Sequence, residues 1–175
     1  MYLDGDEWRA MFRGFRSEAW RLETLPQYLV PQEGDELAAF RSGRRIDPYT
    51  HSSSYTEDLK RLRDNGRIKG RVHVVTQPLS EYLQFEFSRY YAPHALAFED
   101  IRILDVTGRE NPLANVQDFW MFDRSTVVLM HYKADGTQIS RELYAGDPAP
   151  FVEHQRVAIA ESVPFLEYVK GDVRS

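Results

Sequence analysis

The chain has 175 residues, 42% of them hydrophobic, with no cysteine and a formal net charge of −5. One hydrophobic core suits that length, so a single domain over 1–175 is expected, with a helical and extended region at 1–66 and an α/β core at 67–170. Absence of cysteine removes disulfides, thiolate nucleophiles and Cys-based zinc sites, and the acidic balance argues against direct nucleic-acid binding, which depends on Lys and Arg neutralising phosphates.

The first element is a helix over residues 4–18. Asp4 stands three places before Glu7 as a capping box, and Trp8, Met11, Phe12, Phe15 and Ala19 recur at helical spacing. The opening residues lack the basic-then-apolar pattern of an export signal, and no segment reaches the about 20 apolar residues of a membrane span, so a cytoplasmic protein without a membrane partner is expected. The alternation in Trp20–Leu25, closed by Pro26, and the run Tyr28–Val30, closed by Pro31, predict extended chain of edge character. A short helix follows from Gly34 to Phe40. Residues 47–54 form the most loop-like stretch, and Ser54 with Glu57 predicts the cap of a helix that stops near Gly66.

From Arg71 the pattern is more regular. The β-branched run at 71–76, a helix over about 79–91 and a strand at 100–106 predict a βαβ unit with parallel strands and a right-handed crossover. Val116–Phe122, Thr126–Lys133 and Thr137–Tyr144 predict an antiparallel meander, with Asp135-Gly136 as a hairpin signal. The closing helix starts near Pro148 or Pro150 and is broken by Pro164. The predicted fold is therefore α/β: a mixed sheet, its parallel pair extended by the meander, flanked by helices.

Several segments carry a resemblance: AWRLET at 19–24, RVHVVTQPL at 71–79, YLQFE at 82–86, EDIRIL at 99–104, DFWMFD at 118–123 and VPFLEY at 163–168. They resemble an uncharacterised actinobacterial family described as a domain of unknown function and often encoded beside helix-turn-helix regulators. The resemblance implies a helix-turn-helix regulator as partner and carries no site residue; self-association is the other partner expected. The element order is also similar, more weakly, to one half of a phospholipase D-like domain. That superfamily's active members need His, Lys and Asp in a fixed register. With Asp123 as the Asp, the other two places hold Val116 and Asp118; with His131 and Lys133, the Asp place holds Gln138.

For chemistry, no two of the five histidines stand at i, i+4 around a carboxylate, so neither a metal nor another cofactor is expected. His73 and His131 lie in predicted strands and are the best acid–base candidates, with Glu86, Glu99 and Asp105 as carboxylate partners. Glu81 and Asp100 join that acidic group, with Arg71, Arg89 and Arg102 as counterions; Glu86 and Arg102, each in an apolar segment, are read as an ion pair. No Gly-rich phosphate loop or GxSxG elbow is present. Ten Phe, ten Tyr and three Trp make a large aromatic load, and Trp120, Phe122 and Tyr132, with Arg102, are the binding candidates. Alternation sends Phe119 and Met121 to one face and Trp120 and Phe122 to the other, so both need cover. This reading favours a non-catalytic regulatory or accessory domain that binds a partner protein or small ligand. A phosphodiester- or nucleotide-processing enzyme and a structural homodimer are the alternatives.

Overall fold

The computed structural model describes residues 1–172. Seven strands, β1 (Glu18–Glu23), β2 (Ile68–Val75), β3 (Asp100–Asp105), β4 (Phe119–Phe122), β5 (Thr126–Tyr132), β6 (Gln138–Leu143) and β7 (Val163–Pro164), form one sheet in the order β6-β5-β4-β1-β2-β3-β7. Strands β1, β2 and β3 run parallel to one another, and every other pairing is antiparallel. The mixed sheet, the β2–β3 pair across a helical crossover and the β4–β5–β6 meander all follow the pattern in the sequence.

The segment read as an edge is instead the centre of the sheet. Strand β1 is hydrogen-bonded to β2 on one side and β4 on the other, so the N-terminal region supplies the strand that joins the parallel half to the meander. Its charged alternation suggested solvent on one face. Arg21 and Glu23 are in fact set against other charges beneath a helical cover, which is why a polar strand tolerates a central place.

Helices α1 (Gly5–Gly14), α2 (Gly34–Arg41), α3 (Ser54–Asp64), α4 (Glu81–Glu86), α5 (Ala92–Leu96) and α7 (Phe165–Asp172) and the longer α6 (Ala149–Glu161) complete the fold. The capping box of Asp4 and Glu7 forms as expected, but α1 ends at Gly14 because Phe15 is already extended. For α3 the cap is Ser53 with Thr56, one residue before the expected pair. The helix predicted at 79–91 continues to Leu96 through a π-helical turn, Phe87–Tyr91. Helix α6 ends at Glu161, where Ser162 turns extended, and Pro164 follows in β7 at the sheet edge, where its missing donor breaks no ladder.

Alternation sorts the side chains into two cores. Trp20, Leu22, Val72, Val74, Leu104, Phe119 and Met121 pack together on one face, where α6 brings Phe151, Val152 and Ala158. The opposite face carries Trp120, Phe122, Val128 and Met130 under Trp8, Met11 and Phe12 of α1. Farther along it, Val75, Ile101 and Ile103 pack under Leu83, Phe87, Tyr91 and Phe165. Between these last two clusters the face is polar.

Candidate functional site

Parallel register places Ala19 beside Lys69, Arg21 beside Arg71 and Glu23 beside His73, so alternate residues of two central strands put four charges and an imidazole on one face. The cover over them comes from α4, the π turn and α5, where Glu86, Tyr90 and His94 recur every four residues.

Arg71 organises the buried part. Its Nε and Nη2 donate to the two carboxylate oxygens of Glu99, both at 3.0 Å, and its Nη1 donates to Glu23 Oε1 at 2.9 Å. Burial would raise both carboxyls, but the Arg21 and Arg71 guanidiniums hold Glu23 at about 2, and Arg71 above all holds Glu99 at about 2. Glu86 Oε1 lies 3.7 Å from Arg71 Nη1, beyond hydrogen-bond reach, and Oε2 has no partner. Burial, then repulsion from Glu23, pushes the Glu86 carboxyl well up.

His73 is buried, with Nε2 2.8 Å from the Leu25 carbonyl and Nδ1 2.8 Å from the Tyr91 hydroxyl. A carbonyl only accepts, so Nε2 carries a proton. The Tyr91 oxygen also lies 3.0 Å from Glu23 Oε1, linking Leu25, His73, Tyr91 and Glu23, and its single proton serves either His73 Nδ1 or Glu23 but not both at once. Burial lowers the His73 pKa.

Above this cluster opens a cavity of about 650 Å³. Besides Arg71, three cations reach it, each set on aromatic rings: Arg21 Cζ 4.8 Å from the Trp120 ring, Lys69 Nζ 4.7 Å from Tyr55 and 4.9 Å from Phe12, and Arg141 Cζ 5.3 Å from Trp8. Arg21 has a single carboxylate contact, Glu23 Oε1 at 3.4 Å, and its Nε makes no hydrogen bond. Among the described residues Lys69 and Arg141 have no carboxylate partner, and Arg141 Nη1 is buried without an acceptor. Burial brings the Lys69 amine down to about 8.

The rim is the segment after β1. Asp118 accepts from Thr24 N at 3.0 Å, from Thr24 Oγ1 at 2.5 Å and from the Tyr28 hydroxyl, fixing the chain that carries Tyr28, Leu29 and Val30 to the cavity mouth. Burial pushes the Asp118 carboxyl up to about 6.

The predicted site residues divide. His73, Glu86 and Glu99 meet at the ionic cluster, and Trp120 and Tyr132 line the cavity. His73 and His131 do not approach one another, because β1 and β4 lie between their strands; His131 instead pairs with Glu142 at 2.8 Å. Asp105 accepts from Thr107 and from the Tyr168 hydroxyl at the end of β3. Phe122 packs under α1, 5.2 Å from the Phe12 ring, away from the cavity. The expected Glu86–Arg102 pair does not form: Arg102 shares the opposite face with Val72, donating to Ser162 at 3.2 Å and lying 3.8 Å from Asp100. Glu81 pairs with Arg41 and Arg89 with Glu36, both at 2.8 Å.

Sequence reasoning missed Arg21, Glu23, Lys69, His94 and Arg141 as site residues. The one available signal was the charge at alternate places in Arg21-x-Glu23 and Lys69-x-Arg71-x-His73, which becomes a pattern only once the two strands are adjacent.

Ligand atoms of Glu23, His73 and Glu86 lie within 4.8 Å of one another, the spacing of a metal site. The donor set does not fit one. Both ring nitrogens of His73 are occupied, and the Arg71 guanidinium already stands against Glu23, where a divalent ion would meet a fixed positive charge.

The class of protein is thus a mixed α/β domain with a polar cavity, lined by both cations and carboxylates, over a buried ionic cluster. Its family follows from the match of residues 6–170 to the model for "Domain of unknown function (DUF6879)", and the chain belongs to that family. No curated protein matches the chain. Among the described residues no helix is long and apolar enough to cross a membrane.

Proposed function

We propose that the chain is a non-catalytic binding domain of a regulatory kind, whose cavity takes a small organic anion with a planar body. The observation that carries this reading is the convergence of Arg21, Lys69 and Arg141 on one cavity without carboxylates to neutralise Lys69 or Arg141. Guanidinium groups match the geometry of carboxylate and phosphate, and desolvation strengthens such contacts. Trp8, Trp120 and Tyr55, whose rings hold these cations in place, add aromatic surface to the cavity wall beside the ligand body.

The acid–base candidates favour binding over turnover. His73 is tied at both nitrogens, and Glu99 is spent on Arg71. The family resemblance supports a helix-turn-helix regulator as the partner that reads occupancy.

Trp8 and Trp120 in the cavity wall give the test. Titration with benzoate and with phenyl phosphate is expected to change tryptophan fluorescence saturably, and Arg21→Met is expected to weaken the better ligand by about tenfold or more, equivalent to about 1.4 kcal/mol. No saturable change with either anion, or affinities untouched by both Arg21→Met and Lys69→Met, overturns the reading.

A further inference from the structure

The cavity has a second pole. Glu86 stands in its wall on α4 with only 6% of its surface exposed, and its Oε2 has no hydrogen-bond partner. Arg71 answers it only through a 3.7 Å ion contact to Oε1 and no hydrogen bond, because that guanidinium already makes two bonds to Glu99 and one to Glu23. Three carboxyl groups therefore surround one guanidinium, and Glu86 is the one left over. Protonation does not repair the defect: a proton on Oε2 would need an acceptor there, and a proton on Oε1 leaves Oε2 bare. Folding alone gains nothing from such a group in either state.

The surroundings of Glu86 suit a cation from outside the chain. Tyr82 and Tyr90 line the same part of the cavity, and Glu33 on the rim accepts from the Tyr82 hydroxyl at 3.0 Å. Ring faces and carboxylates together are the usual surroundings of a bound ammonium. The charged and titratable groups facing Glu86 are Glu23 and Arg21 from β1, Arg71 and His73 from β2, Glu33 on the rim, and Tyr82, Tyr90 and Tyr91. The carboxyls of Glu86 and Glu33 are both raised, by burial first, and a cation between them would draw both down.

We infer that Glu86 is the subsite for an ammonium or amidinium group, so that the ligand is a zwitterion with its anionic end at Arg21 and Lys69 and its cationic end at Glu86. The inference rests on the anion-binding reading above. It narrows the ligand class from organic anions to molecules that carry both charges across a planar or short spacer.

Matched probes test it. Binding of 4-(aminomethyl)benzoate and 4-(2-aminoethyl)benzoate is compared with 4-methylbenzoate and 4-ethylbenzoate, which present the same anion without the amine. At least one amine is expected to bind about tenfold tighter than its uncharged counterpart. In Glu86→Gln, an isosteric change, that advantage is expected to shrink below about threefold while 4-methylbenzoate affinity holds. A structural role for Glu86 would instead move all probes together. Equal binding of amine and counterpart in the unmodified protein overturns the proposal and needs no variant; so does an advantage that survives Glu86→Gln. In both cases dependence of 4-methylbenzoate on Arg21 would leave the anion site standing. If no benzoate binds, the anion site fails and this subsite with it.

Discussion

Arg71→Met would leave the Glu99 carboxylate buried without its main cation and Glu23 with Arg21 alone. Removing one partner of a buried pair costs about 3–5 kcal/mol, far more than the pair contributes net, and urea unfolding should register that loss. The pH dependence should change too. Glu23 and Glu99 are held at about 2 against an ordinary 4.5, so their stabilisation is present above pH 4.5 and lost as pH falls through 2. Without Arg71, burial raises the Glu99 carboxyl while Arg21 still lowers that of Glu23, and the stability Glu99 then costs is recovered as pH falls, so the slope in this window should shrink. A variant whose unfolding free energy keeps the original slope would show that Arg71 does not set these carboxyls. Asp123 makes a separate test. Its carboxylate accepts from the backbone N–H groups of Arg16, Ser17 and Glu18, at 2.8, 2.8 and 3.0 Å, while its own φ of 54° closes the β4–β5 turn. Asp123→Ala should cost about 2–3 kcal/mol, since charged hydrogen bonds are lost at a left-handed position that Asp tolerates better than Ala. Asp123→Asn should recover much of it in the same measurement.

Among the elements, α1 covers the sheet face that carries Trp120. The Trp8 and Phe12 rings meet Trp120 edge-on at 5.9 and 4.9 Å, so the chain itself supplies cover for this aromatic strand. Trp120→Ala should therefore cost about 3–5 kcal/mol in thermal or urea unfolding, with no change in sedimentation. A shift in association at unchanged stability would place a partner chain there instead. The β5–β6 turn is coupled to the cavity rim. A Cβ on Gly136 would lie 2.4 Å from the Gln27 carbonyl oxygen, and the residue has φ of +91°. Gly136→Ala should push residues 27–29 off the turn, weaken 4-methylbenzoate binding severalfold and lower the melting temperature, because a Cβ in that conformation is strained whatever space surrounds it. Unchanged affinity would mean that the rim does not shape the site.

At the scale of the molecule, ligand and fold should be linked. A ligand that binds only the folded chain at a hundredfold its Kd adds about 2.7 kcal/mol, so 4-methylbenzoate should raise the urea midpoint of the unmodified protein and leave that of Arg21→Met nearly fixed at the same concentration. Equal shifts in both would place the anion elsewhere. Periodicity made much of this architecture legible. The β-branched run of β2, the strand after the helical crossover and the aromatic β4 declare themselves because each has strongly apolar positions. Phe119 and Trp120 even announce their opposite faces through alternation alone. The capping pair Asp4 and Glu7 and the end of α6 shortly before Pro164 are equally local, since their causes lie within a turn or two of chain. What stayed hidden is β1, whose Arg21 and Glu23 read as an exposed edge. Burial of those charges depends on Arg71 from a strand about fifty residues away, and no local pattern encodes that neighbour. The site suffered the same way: His73, Glu86 and Glu99 were visible as residue types, while their relation to Arg71 was not. Sequence by itself determined the elements, the faces of the apolar strands and the mixed α/β class, because these follow from spacing along one segment. Only the tertiary structure decided that β1 is central, that His131 is remote from His73, and that Arg21, Lys69 and Arg141 face one cavity, because electrostatic satisfaction is set by distances between segments.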